Sequence, residues 1–140
     1  MILTHAPTST SITLSDNFIW TDEHSWVAAT ATVSYLMTGA LLVEGATRQA
    51  GRFITLEAAS DVAWVPRLKL QQLYALASVQ GRVMTLSLLN PSTPGTPRTF
   101  NVIFRHQDVA INADPVNDLP SRNDDEWWHL KTIRLMEVSV

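Results

Sequence analysis

At 140 residues the chain is long enough for one domain with its own core and too short for two ordinary ones. Its 46% hydrophobic content against 16% charge excludes a disordered chain, which cannot bury enough apolar surface to offset its conformational entropy. A net charge of −3 argues against general binding to phosphate backbones, and the absence of cysteine excludes disulfides, thiolate nucleophiles and zinc–thiolate sites. Stability must therefore come from packing, within the chain or between chains. The start, Met1 to His5, lacks the basic region and apolar stretch of a leader, and the most apolar run, Leu36 to Val43, is interrupted by Thr38 and Gly39. That run is far shorter than the roughly 20 residues a spanning helix needs, so no membrane partner is expected.

In chain order, Ala6 to Ser15 is rich in Ser, Thr and Pro and carries one alternating segment, Ser11-Ile12-Thr13-Leu14. It reads as a short edge strand in an N-terminal arm of about residues 1–15 on a single domain spanning 1–140. From Ala29 to Met37, the residues Ala31, Val33 and Tyr35 alternate with Thr30, Thr32 and Ser34, which predicts a long strand. Further strands at Ala40 to Glu44 and Arg52 to Glu57 are set off by Gly39, Gly45 and Gly51, giving a β-meander in outline. Beyond Pro66 the period changes: Leu70, Leu73, Tyr74 and Ala77 fall three and four apart, predicting one helix over about residues 66–80 that closes at Gly81.

Arg82 to Leu89 and Arg98 to Arg105 flank a Pro-rich turn and predict an antiparallel pair, with Met84, Leu86 and Leu88 on one face and Phe100, Val102 and Phe104 on the other arm's matching face. His106 to Asp125 reads as a long acidic loop. The terminal strand, Glu126 to Val138, is bulky on both faces, and a bulge or twist near Thr132 would switch which face is buried. One helix among many strands predicts a mainly β fold, a β-sandwich or split β-barrel with the helix packed on it.

Little in the chain carries reaction chemistry. His5, His24, His106 and His129 fall in no spacing that sets two rings on one face, and Asp114, Asp118, Asp124, Asp125 and Glu126 lack the alternating ligands and central glycine of a calcium loop. Asp22-Glu23 and Asp124-Asp125 are neighbours and so point to opposite faces of an extended chain. There is no nucleophile elbow and no glycine-rich phosphate cradle. No catalytic residue, metal or cofactor is expected, and the chain reads as a non-enzyme.

Five tryptophans need places for their rings and N–H groups. Trp127 and Trp128 face opposite ways on a strand, so one of them is expected to meet a second layer or another chain. Ile12, Leu14 and Trp127 are the residues expected at a subunit interface.

The strings Thr13-Leu14-Ser15-Asp16-Asn17, Phe18-Ile19-Trp20-Thr21-Asp22-Glu23 and Thr38-Gly39-Ala40-Leu41-Leu42-Val43-Glu44-Gly45 look like the opening of small phage tail proteins. Gly51 to Glu57, a tryptophan-led helix from Trp64, Phe100 to Asp108 and Trp128 to Val138 continue the likeness over nearly the whole chain. It resembles the tail-tip and baseplate proteins of tailed bacteriophages, of the distal-tail-protein kind. The resemblance implies a tail-tube-related fold and a ring of copies, sixfold by analogy, around the DNA channel. It also implies contacts with tube, hub or baseplate proteins, a place in the virion after synthesis in the host cytoplasm, and no specific nucleic-acid contact. The alternative is a small β-sandwich carbohydrate-binding module using Trp26 or Trp127 as a stacking platform.

Overall fold

The computed structural model describes residues 1–117 and 123–139. In order it contains β1 (Ile2–His5), a 3-10 turn (Ala6–Thr8), β2 (Thr10–Thr13), β3 (Phe18–Trp20), β4 (Ala29–Tyr35), β5 (Leu41–Thr47), β6 (Phe53–Ala58) and β7 (Trp64–Pro66). Then follow α1 (Arg67–Ala77), β8 (Met84–Leu88), β9 (Arg98–Phe104), β10 (Ile111–Pro115) and β11 (Trp127–Glu137). The described residues are mainly β with a single α-helix. Nine strands form one antiparallel sheet along the path β2-β1-β8-β9-β11-β6-β3, with β10 and β7 both paired to β11. β4 and β5 stand apart as a two-stranded sheet. The large sheet curls, so that Met1 and Leu88 from one side and Phe18 and Trp20 from the other line a common cavity of about 340 Å³, but it does not close into a barrel.

One continuous core runs beneath α1. Leu70, Leu73 and Leu76 descend into it from the helix, and Met84, Leu86 and Leu88 from β8 join Val102 and Phe104 from β9, with Met84 opposite Val102 and Leu86 opposite Phe100. The helix packs against β11, β7 and β2. It is shorter than its apolar spacing suggests. Trp64 to Pro66 is spent on pairing with β11, so the helix begins after an extended Pro66, and it is capped at Ser78 rather than at Gly81. Gly81, at φ +71°, serves the turn into β8 instead.

β11 bends where its apolar pattern changes phase. Asn112 pairs with Thr132 but Ala113 pairs with Leu130, so Lys131 is the extra residue of a bulge. Leu130 and Ile133 are both buried as a result, and Leu135 continues on the new phase.

Three expectations from the sequence are corrected. The N-terminal segment is no arm: β1 pairs with both β2 and β8, and Met1, Leu3, Ile12 and Leu14 belong to the core. Ile12 and Leu14 therefore face inward and cannot be the interface residues expected of them, because their own chain already covers them. Removing residues 1–15 would strip four core side chains and damage the fold itself. Residues 106–125 are not one long loop, since β10 supplies a strand within them. Nor is the first half a meander, because β3 pairs with β6 and the β4–β5 hairpin is an insertion between them.

Candidate assembly surface

The inserted hairpin is unlike the rest of the molecule. Its seven pairs run without a break from Ala29↔Thr47 to Tyr35↔Leu41, and every residue of both strands is exposed. The loop Met37-Thr38-Gly39 closes it, with Gly39 N–H donating to the Leu36 carbonyl and Leu36 N–H to that of Ala40. Gly39 takes φ +83°, the left-handed position that a three-residue hairpin loop requires.

Residues directly opposite one another share a face. One face thus carries Ala31, Val33, Tyr35, Leu41 and Val43, and the other carries Thr30, Thr32, Ser34 and Glu44 with Leu42. From Ser25 to Val43 there is no charged side chain. Tyr35 is 75% exposed, and Met37 at the tip is fully so. A two-stranded hairpin alone is marginal in water, and soluble proteins protect such edges with Lys, Pro or bulges. Neither strand has any of these. The hairpin thus presents an uncharged apolar face between two unprotected edges, the kind of exposed patch that marks interaction sites.

The base of the hairpin, by contrast, is firmly held. Asp22 accepts from Trp20 Nε1 at 2.8 Å, from the Thr55 backbone N–H at 2.9 Å and from the Thr55 hydroxyl at 2.8 Å. Arg105 is buried beside it, paired with Asp108 at 2.6 Å, donating to Thr55 Oγ1 at 3.3 Å and lying 4.4 Å over the Phe53 ring. Arg52 stacks 4.3 Å over Trp20 and donates to the Glu23 carbonyl, while Phe100 meets the same indole edge-on. Arg98 donates to Glu23 Oε1 at 2.6 Å. Between these anchors, Ala28 and Arg48 are joined by a backbone bond of 2.8 Å where the strands leave the body. The arrangement fixes the root and leaves the blade free to meet something else.

The hydrogen bond from Arg98 holds the Glu23 carboxyl below its usual pKa, outweighing the opposing effect of partial burial, with the charges of Arg98, His24 and Arg52 assisting. A depressed folded-state pKa gives stability that is present above the unfolded value, about 4.3, and lost as pH falls through the folded one. Arg98→Gln is therefore expected to unfold at lower urea than the parent at pH 7, with the difference shrinking below about pH 4. A difference that stays constant from pH 7 to pH 3 would contradict this role for the pair.

A second exposed apolar area lies at the other end of β11. Trp127 faces Pro66, and His129 faces Trp64, across the β7–β11 pair, so these four share the outward side while Val65 and Trp128 turn toward the core. Trp127 is 49% and Trp64 47% exposed. Of the three residues expected at an interface, only Trp127 is at the surface. Trp64 and the hairpin were not singled out for this role. Their alternating pattern is the same whether a face is buried or bare, and only the missing charges from Ser25 to Val43 distinguished the hairpin.

The remaining candidates lie apart. Trp26 is half-buried and lines a cavity of about 250 Å³ at the hairpin root with Asp22, Ser25, Arg48, Gly51 and Phe53. His5 bonds Thr8, His106 the Ala77 carbonyl and His129 the Ala59 carbonyl. Asp114 pairs with Lys131 and Asp124 with Arg67, while Asp118 is outside the described residues. Among the described residues no three His, Asp or Glu side chains are grouped to hold a metal ion, and no helix is long and apolar enough to cross a membrane. Comparison with protein-family models, with curated proteins and with solved structures returned no match to this chain.

Proposed function

We propose that this chain is a structural subunit of a bacteriophage tail, at the tip, baseplate or distal tube, where copies form a ring around the DNA channel and contact neighbouring tail proteins. One observation carries the assembling role: an amphipathic hairpin whose single charge, Glu44, lies off its apolar face, with two open edges on a rigid root. Edge pairing between copies would turn an aggregation hazard into a specific joint, and a head-to-tail joint closes into a ring when its rotation divides the circle. The sequence resemblance supplies the tail context. A charge of −3 per copy suits a channel that repels DNA and lets it pass. The test is to label an epitope-tagged copy in purified particles by immunogold microscopy. Label at the distal tail is expected, and particles that never carry the chain would overturn the tail assignment.

A carbohydrate-binding module is the second reading, favoured by the half-exposed Trp127 beside Trp64. It predicts saturable changes in tryptophan fluorescence with glycans and a protein that stays a single small species.

A further inference from the structure

Two tryptophans at the hairpin root are served very differently. Trp20 has its indole N–H on Asp22, Arg52 stacked over its ring and Phe100 against its edge. Trp26 is half-buried, yet among the described residues its N–H has no hydrogen-bond partner and its ring no aromatic or cationic one. What it borders is the cavity of about 250 Å³ that it shares with Asp22, Ser25, Arg48, Gly51 and Phe53. The space is open at Gly51, where an added Cβ would meet no atom within 4 Å.

The polar groups around this cavity point to the chemistry of an occupant. The Arg48 guanidinium and the Ser25 hydroxyl make no hydrogen bond or ion pair among the described residues, so together with the Trp26 N–H they form a set of uncommitted donors. Asp22 is the one carboxylate in the lining. Its Oδ1 already accepts from Trp20 Nε1 and the Thr55 N–H, but Oδ2 accepts only from the Thr55 hydroxyl, with Arg105 at 4.0 Å. A carboxylate oxygen has two lone-pair sites, so Oδ2 has room for one more donor. A ligand that serves every wall therefore needs an anionic acceptor for Arg48, a hydroxyl for Asp22 and a ring for Trp26.

We propose that this cavity binds a hexuronate, a hydroxylated six-membered ring carrying a carboxylate, as found in acidic polysaccharides. Arg48 takes the carboxylate through the two parallel bonds that a guanidinium fork allows. The ring lies against Trp26, one of its hydroxyls donates to Asp22 Oδ2, and others accept from Ser25 and the indole N–H. Simpler ligands leave a wall unserved: a neutral sugar leaves Arg48 without its anion, acetate leaves Trp26 bare, and benzoate brings no hydroxyl to Asp22. The cavity falls just below the roughly 300–1,000 Å³ of pockets for drug-sized ligands, which limits the occupant to a single ring and its substituents. All of the groups belong to one chain, and none belongs to the Trp64–Trp127 area. The site thus stands or falls separately from the assembling role and from the sugar reading of that platform.

For one small ring the Kd is expected on the order of 1 mM. Calorimetric titration with sodium glucuronate, at ionic strength held constant with sodium chloride, should show saturable binding at one site per chain. Methyl glucoside, sodium acetate and sodium benzoate should each bind at least tenfold more weakly. Arg48→Gln, at an exposed position, should weaken glucuronate at least tenfold and leave methyl glucoside unchanged, with Arg48→Lys falling between it and the parent. Trp26→Ala should weaken both sugars, with circular dichroism as its folding control, and Trp127→Ala should weaken neither. Absence of saturation by about 20 mM glucuronate, well above the expected Kd, or equal affinities in Arg48→Gln and the parent, would overturn the proposal. Acetate that binds as tightly as glucuronate would reduce the site to a bare anion site, and benzoate that does so would give it to aromatic acids; either result overturns the sugar assignment. Loss of binding in Trp127→Ala but not in Trp26→Ala would move the sugar to the other surface and overturn this one.

Discussion

Replacing Leu73 with Ala is expected to cost about 2–5 kcal/mol of folding stability, the range for truncating a buried leucine whose surroundings collapse only in part. Leu73 is 0% exposed, at the centre of the Leu70–Leu73–Leu76 row by which the only helix among the described residues reaches the core. The measurement is the urea midpoint with an unchanged slope. A change below about 0.5 kcal/mol, typical of surface positions, would mean that the helix does not pack on this row. Tyr74, by comparison, is half exposed despite its place in the same apolar spacing, its hydroxyl 3.4 Å from the Ile111 carbonyl. Tyr74→Phe should stay within about 0.5 kcal/mol of the parent.

The second large effect is expected at Arg105. The side chain is 8% exposed and lies where β9, β6 and the hairpin root converge, touching Asp108, Thr55 and Phe53, with Asp22 at 4.0 Å. Removing one partner of a buried ion pair costs about 3–5 kcal/mol, because the charge left behind keeps its burial and loses its compensation. Asp108 is 46% and Asp22 22% exposed, so water screens part of that loss, and Arg105→Ala belongs at the lower end, about 3 kcal/mol. Arg105→Lys keeps the charge but not the planar fork that spans Asp108 and Thr55, and should fall between Ala and the parent. The check is chemical denaturation of both variants. Equal stability of Arg105→Ala and the parent would show that the root is held by Asp22 and its three hydrogen bonds alone.

The two largest effects fall on very different kinds of position, and they differ in how visible they were in the sequence. Leu73 was plain, because a 3.6-residue period needs only one helix turn of context. The β8–β9 pair was equally plain, since Met84, Leu86, Leu88, Val102 and Phe104 alternate and a Pro-rich turn joins them. The bulge in β11 followed from apolar residues at both Leu130 and Ile133, a spacing that no regular strand can bury on one side. Arg105 gave no sign. Its partners at Asp22, Thr55 and Phe53 are some fifty to eighty residues away, and only the sheet path brings them together. β7 and β10 were hidden for a simpler reason. Trp64-Val65-Pro66 runs straight into the helix, and Asn112, Asp114 and Pro115 are residues that favour turns, so pairing to β11 overrode local preference in both.

The candidate site was the least legible part. Alternation in β4 and β5 predicted strands, and strands they are, but the same alternation is usual for a strand half-buried on a core. Ile12 and Leu14 illustrate the converse error: a Ser/Thr-rich setting suggested an exposed arm, yet Leu3 and Leu86 give β1 a buried place between β2 and β8. Sequence period reports that a face is apolar. It does not report what covers that face, which depends on the chain's path.

The assembling role is tested most directly by the mass of the protein in solution, with and without the hairpin. Arg48 N–H already donates to the Ala28 carbonyl, so residues 29–47 can be replaced by an Asn-Gly turn without moving the root. The trimmed chain keeps all of the core, and its circular dichroism and urea midpoint should match the parent's closely. Measured by analytical ultracentrifugation over a range of concentrations, the full chain is expected to form multimers that grow with concentration, and the trimmed chain to remain a folded monomer. A full chain that stays monomeric throughout, or a trimmed chain that multimerises as readily as the parent, would contradict the account.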